Sequence, residues 1–370
     1  MRRRGHVFLT VLICAVMLSG CGLLSSSGGN SSKTTQAPAA SKGLYAYECL
    51  DDKEKLVYNN MEYSLTNHLE SIEVETIPDE NMKKVFYFVL KDHPEIFWCT
   101  SFNRNSTKYV DGSVKTEFIP VYTQTKQERY DYKEQIDKTA DSWLAKIPAG
   151  ADDFQKVKII FDTIVSEVEY VAGSEENQNI ISVFVNRQSV CQGYAKAFQY
   201  LLSKVGIEST LVKGTAKNES HAWNIVKLDG EYYYFDVTWG DPAFASNKEI
   251  SNYINYAYFG VTSEEIAKSH VIDDELTLPE CNATKDNYYV HEKLFFNVKN
   301  KNIVGDAIYS ADIDRKNFVS MKFDSDDTYK WAVDYFITNN HVFDFCTFTK
   351  RVFMYNNEEL KVLSIIFQQQ

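Results

Sequence analysis

The sequence predicts an α+β protein: a central module between two flanking modules, behind an N-terminal leader and tether. Three observations carry this expectation. Apolar residues spaced three and four apart recur at Phe154, Val157, Ile160, Phe161, Ile164, Val165 and Val168, and again at Phe198, Leu201, Leu202 and Val205, the period of a buried helix face. Asp229-Gly230 lies between two apolar runs, His221 to Leu228 and Glu231 to Trp239, which is the strongest short-range hairpin signal. From Asn287 onward, short β-branched and aromatic stretches follow one another at strand length.

The leader comes first in the chain. Arg2, Arg3 and Arg4 form a basic patch, followed by the twelve-residue apolar stretch Val7 to Leu18, too short to span a bilayer as a helix. It runs into Leu18-Ser19-Gly20-Cys21, which resembles the lipobox of bacterial lipoproteins. Residues 1–20 are thus expected to be a lipoprotein signal peptide, with Cys21 the lipidation site. Residues 21–43, rich in Ser, Gly, Thr and Ala, cannot bury a core and are expected to be a flexible tether. The expected location is the extracytoplasmic face of the cell membrane, with the lipid as anchor.

The 370 residues are 44% hydrophobic and 24% charged, which places the bulk of the chain among globular proteins. Lys and Arg number 39 against 51 Asp and Glu, a formal charge of −12. Removing residues 1–20, which carry three Arg and no Lys, Asp or Glu, takes it to −15. Such an excess opposes nonspecific nucleic-acid binding, which needs cations to displace counterions, and does not favour an anionic lipid surface. Nucleic acid is therefore not an expected partner; the oligomeric state is left open.

The N-terminal module, residues 44–150, reads as α+β. Asp51 to Leu69 and Asn81 to Leu90 read as helices, the second stopped ahead of Pro94. Ile96 to Cys99 reads as the start of a strand, Lys115 to Tyr122 as a strand, and Gln127 to Lys146 as a helix closed by Pro148 and Gly150. In the central module, residues 151–282, Asp152 or Asp153 caps the Phe154 to Val168 helix and Gly173 to Asn179 is a loop. Residues 283–370 are expected to be β-rich, with strands at Tyr288–Val290, Leu294–Val298, Phe318–Phe323, Trp331–Ile337, Phe343–Phe348 and Val352–Tyr355.

The chemistry concentrates in Ser189 to Pro242. Cys191 stands at or just before the start of a helix that Gly206 ends, where free backbone N–H groups favour a thiolate. Five cysteines remain beyond Cys21: Cys49, Cys99, Cys191, Cys281 and Cys346, with no CxxC spacing. An odd count leaves at least one thiol free, and pairing among Cys49, Cys99, Cys281 and Cys346 stays open. A two-residue turn at Asp229-Gly230 sets Leu228 opposite Glu231, Val226 opposite Tyr233, Trp223 opposite Asp236 and His221 opposite Thr238. His221 and Asp236 are then diagonal neighbours on one face. Asp236 can orient the imidazole, and His221 can serve Cys191 as base and later as acid. A turn one residue longer would separate them onto opposite faces.

Val190-Cys191-Gln192-Gly193-Tyr194-Ala195, then His221-Ala222-Trp223-Asn224, then Tyr234-Phe235-Asp236-Val237-Thr238-Trp239-Gly240-Asp241-Pro242 resembles the transglutaminase-like superfamily over Phe154 to His270. The resemblance implies a papain-like core, in which a helix carrying Cys191 packs on an antiparallel sheet carrying His221 and Asp236. It implies Cys191 as nucleophile, His221 as base, Asp236 as orienting carboxylate, and acyl transfer through a thioester to an amine or water. The backbone N–H of Cys191 and the side chain of Gln178 are the oxyanion candidates, and Trp223 is a candidate wall of the substrate cleft. His270 ranks next among the histidines by position, at the end of a polar helical segment. No His, Asp or Glu spacing suggests a metal, and no cofactor is expected; calcium dependence known in animal members is not carried over. The expected function is a surface-anchored cysteine acyltransferase or amidohydrolase acting on protein or peptide amides, with cell-wall peptides as targets suited to the location. The alternatives are a non-catalytic binding or scaffold module of the same fold, and a cysteine protease.

Overall fold

The computed structural model describes residues 43–241 and 253–368. Helix starts follow side-chain caps. Asp51, Thr125 and Asp152 each accept the backbone N–H three residues on, while the Glu or Gln there reaches back to the cap's own N–H.

The chain begins with α1 (Tyr45–Glu48), α2 (Asp52–Asn67), β1 (Ile72–Val74), α3 (Asp79–Asp92), β2 (Cys99–Lys108), β3 (Val114–Tyr122) and α4 (Lys126–Leu144). The three strands form an antiparallel sheet in the order β1-β3-β2. Beyond Cys99, β2 is polar and has little strand propensity. It is a strand because β3 pairs with it from Cys99 to Lys108, so tertiary context overrides composition.

Then come α5 (Asp153–Glu167), β4 (Glu169–Tyr170), a π-helical turn at Ser182–Asn186, β5 (Gln188–Ser189), α6 (Cys191–Lys204), β6 (Ser209–Ala216), β7 (Glu219–Leu228), β8 (Glu231–Phe235), β9 (Phe259–Val261), α7 (Ser263–Ile266) and β10 (His270–Ile272). The sheet order is β10-β6-β7-β8-β9, antiparallel throughout. α6 buries Tyr194, Ala197, Phe198, Leu201 and Leu202. Phe198 meets Phe161 of α5 and Phe235 of β8, and Asn224 of β7 donates to the Ala195 carbonyl at 3.0 Å. A helix carrying the cysteine thus packs on a sheet carrying the histidine.

The N-terminal module is tied to the edge of that sheet. Lys91 at the end of α3 makes a fully buried ion pair with Asp274 at 2.5 Å, just past β10, and its carbonyl accepts from Gln199 of α6 at 2.9 Å. One apolar core accordingly takes in side chains from Ala46 to Tyr289, with Leu360 and Val362 of the last segment joining it.

The last segment holds α8 (Tyr288–His291), β11 (Phe295–Phe296), α9 (Lys301–Ile313), β12 (Phe318–Phe323), α10 (Asp326–Ala332), a π-helical turn at Val333–Thr338, a 3₁₀ turn at His341–Phe345, β13 (Arg351–Asn357) and β14 (Val362–Gln368). Its sheet, β11-β12-β14-β13, has its own core around Val304, Ile308, Met321, Phe336 and Ile365. The β-rich expectation needs correcting element by element. Tyr288–Val290 and Trp331–Ile337 are helical, and Phe343 to Phe345 lie in the 3₁₀ turn. Tyr329, Ala332 and Phe336 are buried at spacings of three and four, so aromatics that suggest strand propensity line a helix face instead. Asn287 and Ser325 cap these helices.

Candidate active site

Cys191 is the first residue of α6. Val190 before it is extended and supplies no side-chain cap, so the first-turn N–H groups, that of Cys191 among them, keep their positive ends uncapped. The helix start is seated tightly. A Cβ on Gly193 would fall 1.9 Å from Ser189 Oγ and 2.8 Å from Ser182 Oγ, which is why the third residue of Cys-Gln-Gly has no side chain. The hydroxyl of Tyr194 lies 2.9 Å from the Val168 carbonyl and 3.0 Å from Asp241, so the motif's Tyr and the Asp after Trp239-Gly240 are joined structurally. Cys191 is half-buried and packs on Ala195, Leu211 and Ala222.

His221 and Asp236 come from the β7–β8 hairpin. Asp229 and Gly230 both take positive φ, 51° and 87°, as a tight two-residue turn requires. Pairing of Leu228 with Glu231 and Val226 with Tyr233 follows the expected register, but the expected pairs Trp223–Asp236 and His221–Thr238 are not part of the ladder. The ladder stops at Asn224 and Phe235, and Asp236 stands one residue beyond, its N–H donating to the Tyr258 carbonyl at 3.0 Å. His221 Nε2 is 2.8 Å from Asp236 Oδ2, with His221 7% exposed and Asp236 fully buried. The Cys191 side chain lies close enough to His221 to favour its protonated form. With Nε2 committed to Asp236, Nδ1 is the nitrogen left for the thiol.

Sequence reasoning placed His270 at the end of a polar helix. It lies instead in β10, paired with Ala216 of β6, and its Nε2 is 3.1 Å from the same Asp236 oxygen. Its Nδ1 is 2.8 Å from Ser269 Oγ. The available signal was the short Val271-Ile272 run after it, too brief to outweigh the polar residues before it. Close approach of β10 requires Gly214 opposite His221, where a Cβ would meet the Val271 carbonyl at 2.0 Å. Asp236 Oδ1 accepts from the N–H groups of Thr238 and Trp239 at 3.0 and 3.1 Å. One buried carboxylate therefore receives four hydrogen bonds.

The charges follow. Burial alone would push the His221 imidazole down, but the charge and hydrogen bond of Asp236, then Cys191, outweigh it and raise its pKa to about 10. Burial alone would raise the Asp236 carboxyl; the charge and hydrogen bond of His221, joined by His270, hold it well below the usual carboxylate range. At neutral pH this is a carboxylate–imidazolium pair beside the Cys191 sulfur at a helix N-terminus.

Trp223 needs correction. It is fully buried, with its ring 4.9 Å from that of His270 and 6.0 Å from that of His221, so it backs the histidines rather than walling a cleft. Gln178 is exposed; its Nε2 donates to Asn177 Oδ1 at 3.1 Å, and its carbonyl accepts from Gln192 Nε2 at 3.2 Å. Cys21 lies outside the described residues. All five cysteines among the described residues are free thiols. Among those residues, the ligand atoms of His221, Asp236 and His270 converge within 4.8 Å, a grouping spread over 50 positions that sequence spacing did not reveal. Each has a hydrogen-bond partner within the group.

Residues 141–237 match the model of the transglutaminase-like superfamily. The match covers about a quarter of the chain. The transglutaminase-like segment holds Cys191, His221 and Asp236, while His270 lies beyond it. Kyphoscoliosis peptidase of mouse and of human are each 23% identical over 167 residues, covering 39% of this chain and 25% of theirs. The chain thus spans about a quarter of the length of these curated relatives. Among solved structures, similarity extends to a transglutaminase (14% identity, 45% of this chain and 50% of that one, TM-score 0.28). It extends also to the periplasmic domain of TgpA from Pseudomonas aeruginosa (14% identity, 34% and 54%, TM-score 0.24).

Proposed function

We propose that the chain is a cysteine acyl-transfer enzyme acting on amide bonds of proteins or peptides, held by lipid on Cys21 at the extracytoplasmic face of the cell membrane. The observation that carries the reading is the buried His221–Asp236 pair beside a cysteine at the start of α6. In this mechanism the Cys191 thiolate attacks the amide carbonyl, and the first-turn N–H of Cys191 receives the developing oxyanion. His221 gives its proton to the leaving amine as the C–N bond breaks, leaving a thioester. It then takes a proton from water, giving hydrolysis, or from an amine, giving transfer. Asp236 stays ionised throughout, holding Nε2 so that Nδ1 faces the sulfur.

Hydrolysis has support in the peptidase name of the curated relatives, and cell-wall peptides suit the proposed location. The test compares the native chain with Cys191→Ala in labelling by iodoacetamide and in turnover of a peptide library with and without added amine. Labelling at Cys191 and activity lost in the variant are expected. Equal labelling and activity in both would remove Cys191 as nucleophile, and the fold would then serve as a scaffold.

A further inference from the structure

A cavity of about 320 Å³ opens beside the site, where α3 of the N-terminal module faces α6 and β6. Leu211, which packs against Cys191, and Gln192, the residue after it, both line it. Phe86, Leu90 and Phe97 form an apolar wall, while Lys196 and Lys213 bring two ammonium groups. Gln192 and Lys196 are four residues apart and share one face of α6.

These cations are unequally served. Lys91, also on the wall, is neutralised by Asp274. Lys213 lies 4.4 Å over the Tyr87 ring and feels Asp274 and Glu275. Lys196 has neither a hydrogen bond nor an ion pair among the described residues, and the charge acting on it is that of Lys213, of the same sign. Burial, then Lys213, lowers its pKa to about 8. A cation held in an apolar recess without a counter-charge is costly, and an anion offsets that cost.

We propose that this cavity binds a carboxylate of the acyl-donor peptide, received by Lys196, with the neighbouring apolar part of the donor against Phe86, Leu90 and Phe97. The proposal rests on the reading of Cys191 as nucleophile. Five residues of helix separate Cys191 from Lys196, about 7.5 Å along the axis, which is roughly two residues of extended peptide. The carboxylate therefore sits about two residues from the scissile amide. It is either an acidic side chain or a free C-terminus, and the neutral counterpart of each separates the two.

The test is calorimetric titration of the full chain carrying Cys191→Ala, which binds without turnover. The ligands are acetylated peptides with Glu or Gln two residues from the target amide, each with a free or an amidated C-terminus. A carboxylate form is expected to bind on the order of tenfold more tightly than its neutral counterpart. Whichever arm shows the preference identifies the source. Lys196→Met should bring the ratio near one and Lys196→Arg should keep it. Equal affinities of all four peptides, or a preference unchanged by Lys196→Met, overturn the proposal; the ratio in the unsubstituted pocket decides even where a Lys196 variant fails to fold. Iodoacetamide labelling of Cys191 in the native chain judges the nucleophile separately, so the two readings fail independently.

Discussion

Asp236→Asn is the sharpest test of how the site works. The carboxylate is fully buried and accepts from His221, His270 and the N–H groups of Thr238 and Trp239. An Asn of the same shape keeps one oxygen. If that oxygen stays with the two backbone donors, the new NH₂ faces both histidines, and His221 must present Nε2 as an acceptor. His221 is then held neutral with its only proton on Nδ1, toward Cys191, so the native imidazolium is lost and the thiol proton cannot be accepted there. Loss of a correctly held base of this kind costs about three to four orders of magnitude in the acylation rate. Breaking a buried pair also costs about 3–5 kcal/mol of stability, or about 4–7 °C in Tm for a cooperative unit of this size. The pH dependence has a definite sign. His221 has its pKa raised to about 10, so its stabilising contribution is fully present below its unfolded value, about 6.5, and is lost as pH rises through about 10. Asp236, held low, contributes above the ordinary carboxylate range, and that contribution is lost as pH falls through its depressed value. Because both shifts describe one pair, they are not added. The assays are peptide turnover at pH 7 and melting between pH 6 and 10. A variant with native turnover, and with the same loss of Tm toward pH 10 as the native chain, would refute the reasoning.

Two further substitutions probe the supports. Gly193→Ala puts a Cβ 1.9 Å from Ser189 Oγ and should destabilise by about 1–3 kcal/mol; Ser189→Ala should recover part of that loss in the double variant, as read by denaturant titration. His270→Gln removes an imidazole from Asp236 while leaving the His221 bond. Turnover should fall about tenfold, with the alkaline limb of the pH–rate profile shifted to higher pH because the Asp236 charge then bears more fully on His221, whereas a purely structural role would lower Tm and leave the profile in place.

The sequence revealed most where short-range rules act alone. Asp229-Gly230 demands a two-residue turn, the turn fixes the register, and the register brings His221 to Asp236; each step is local and each is seen in the structure. The same holds for the capped helices and the period of α5 and α6. It was silent where partners come from far along the chain. His270 reaches Asp236 only because β10 pairs with β6 over Gly214, and nothing near His270 encodes that pairing. Trp223 on the face of His221 suggested a cleft until β10 closed over it. Tyr329, Ala332 and Phe336 have the composition of a strand and the spacing of a helix, and spacing prevailed because a sheet was there to receive one apolar stripe.

This contrast bears on what the N-terminal module does. The histidine-to-carboxylate geometry needs only a hairpin, but the position of His270 depends on the segment after β10, and Lys91 of α3 holds that segment through Asp274. Asp274 in turn accepts from the N–H groups of Lys213 and Leu276, at 2.9 and 3.1 Å, so one buried pair fixes the sheet edge to the module beside it. The module that walls the cavity at Lys196 is thus also the one that secures the second histidine of the site. A module attached only as a spacer would need neither contact; physically, this one completes the site.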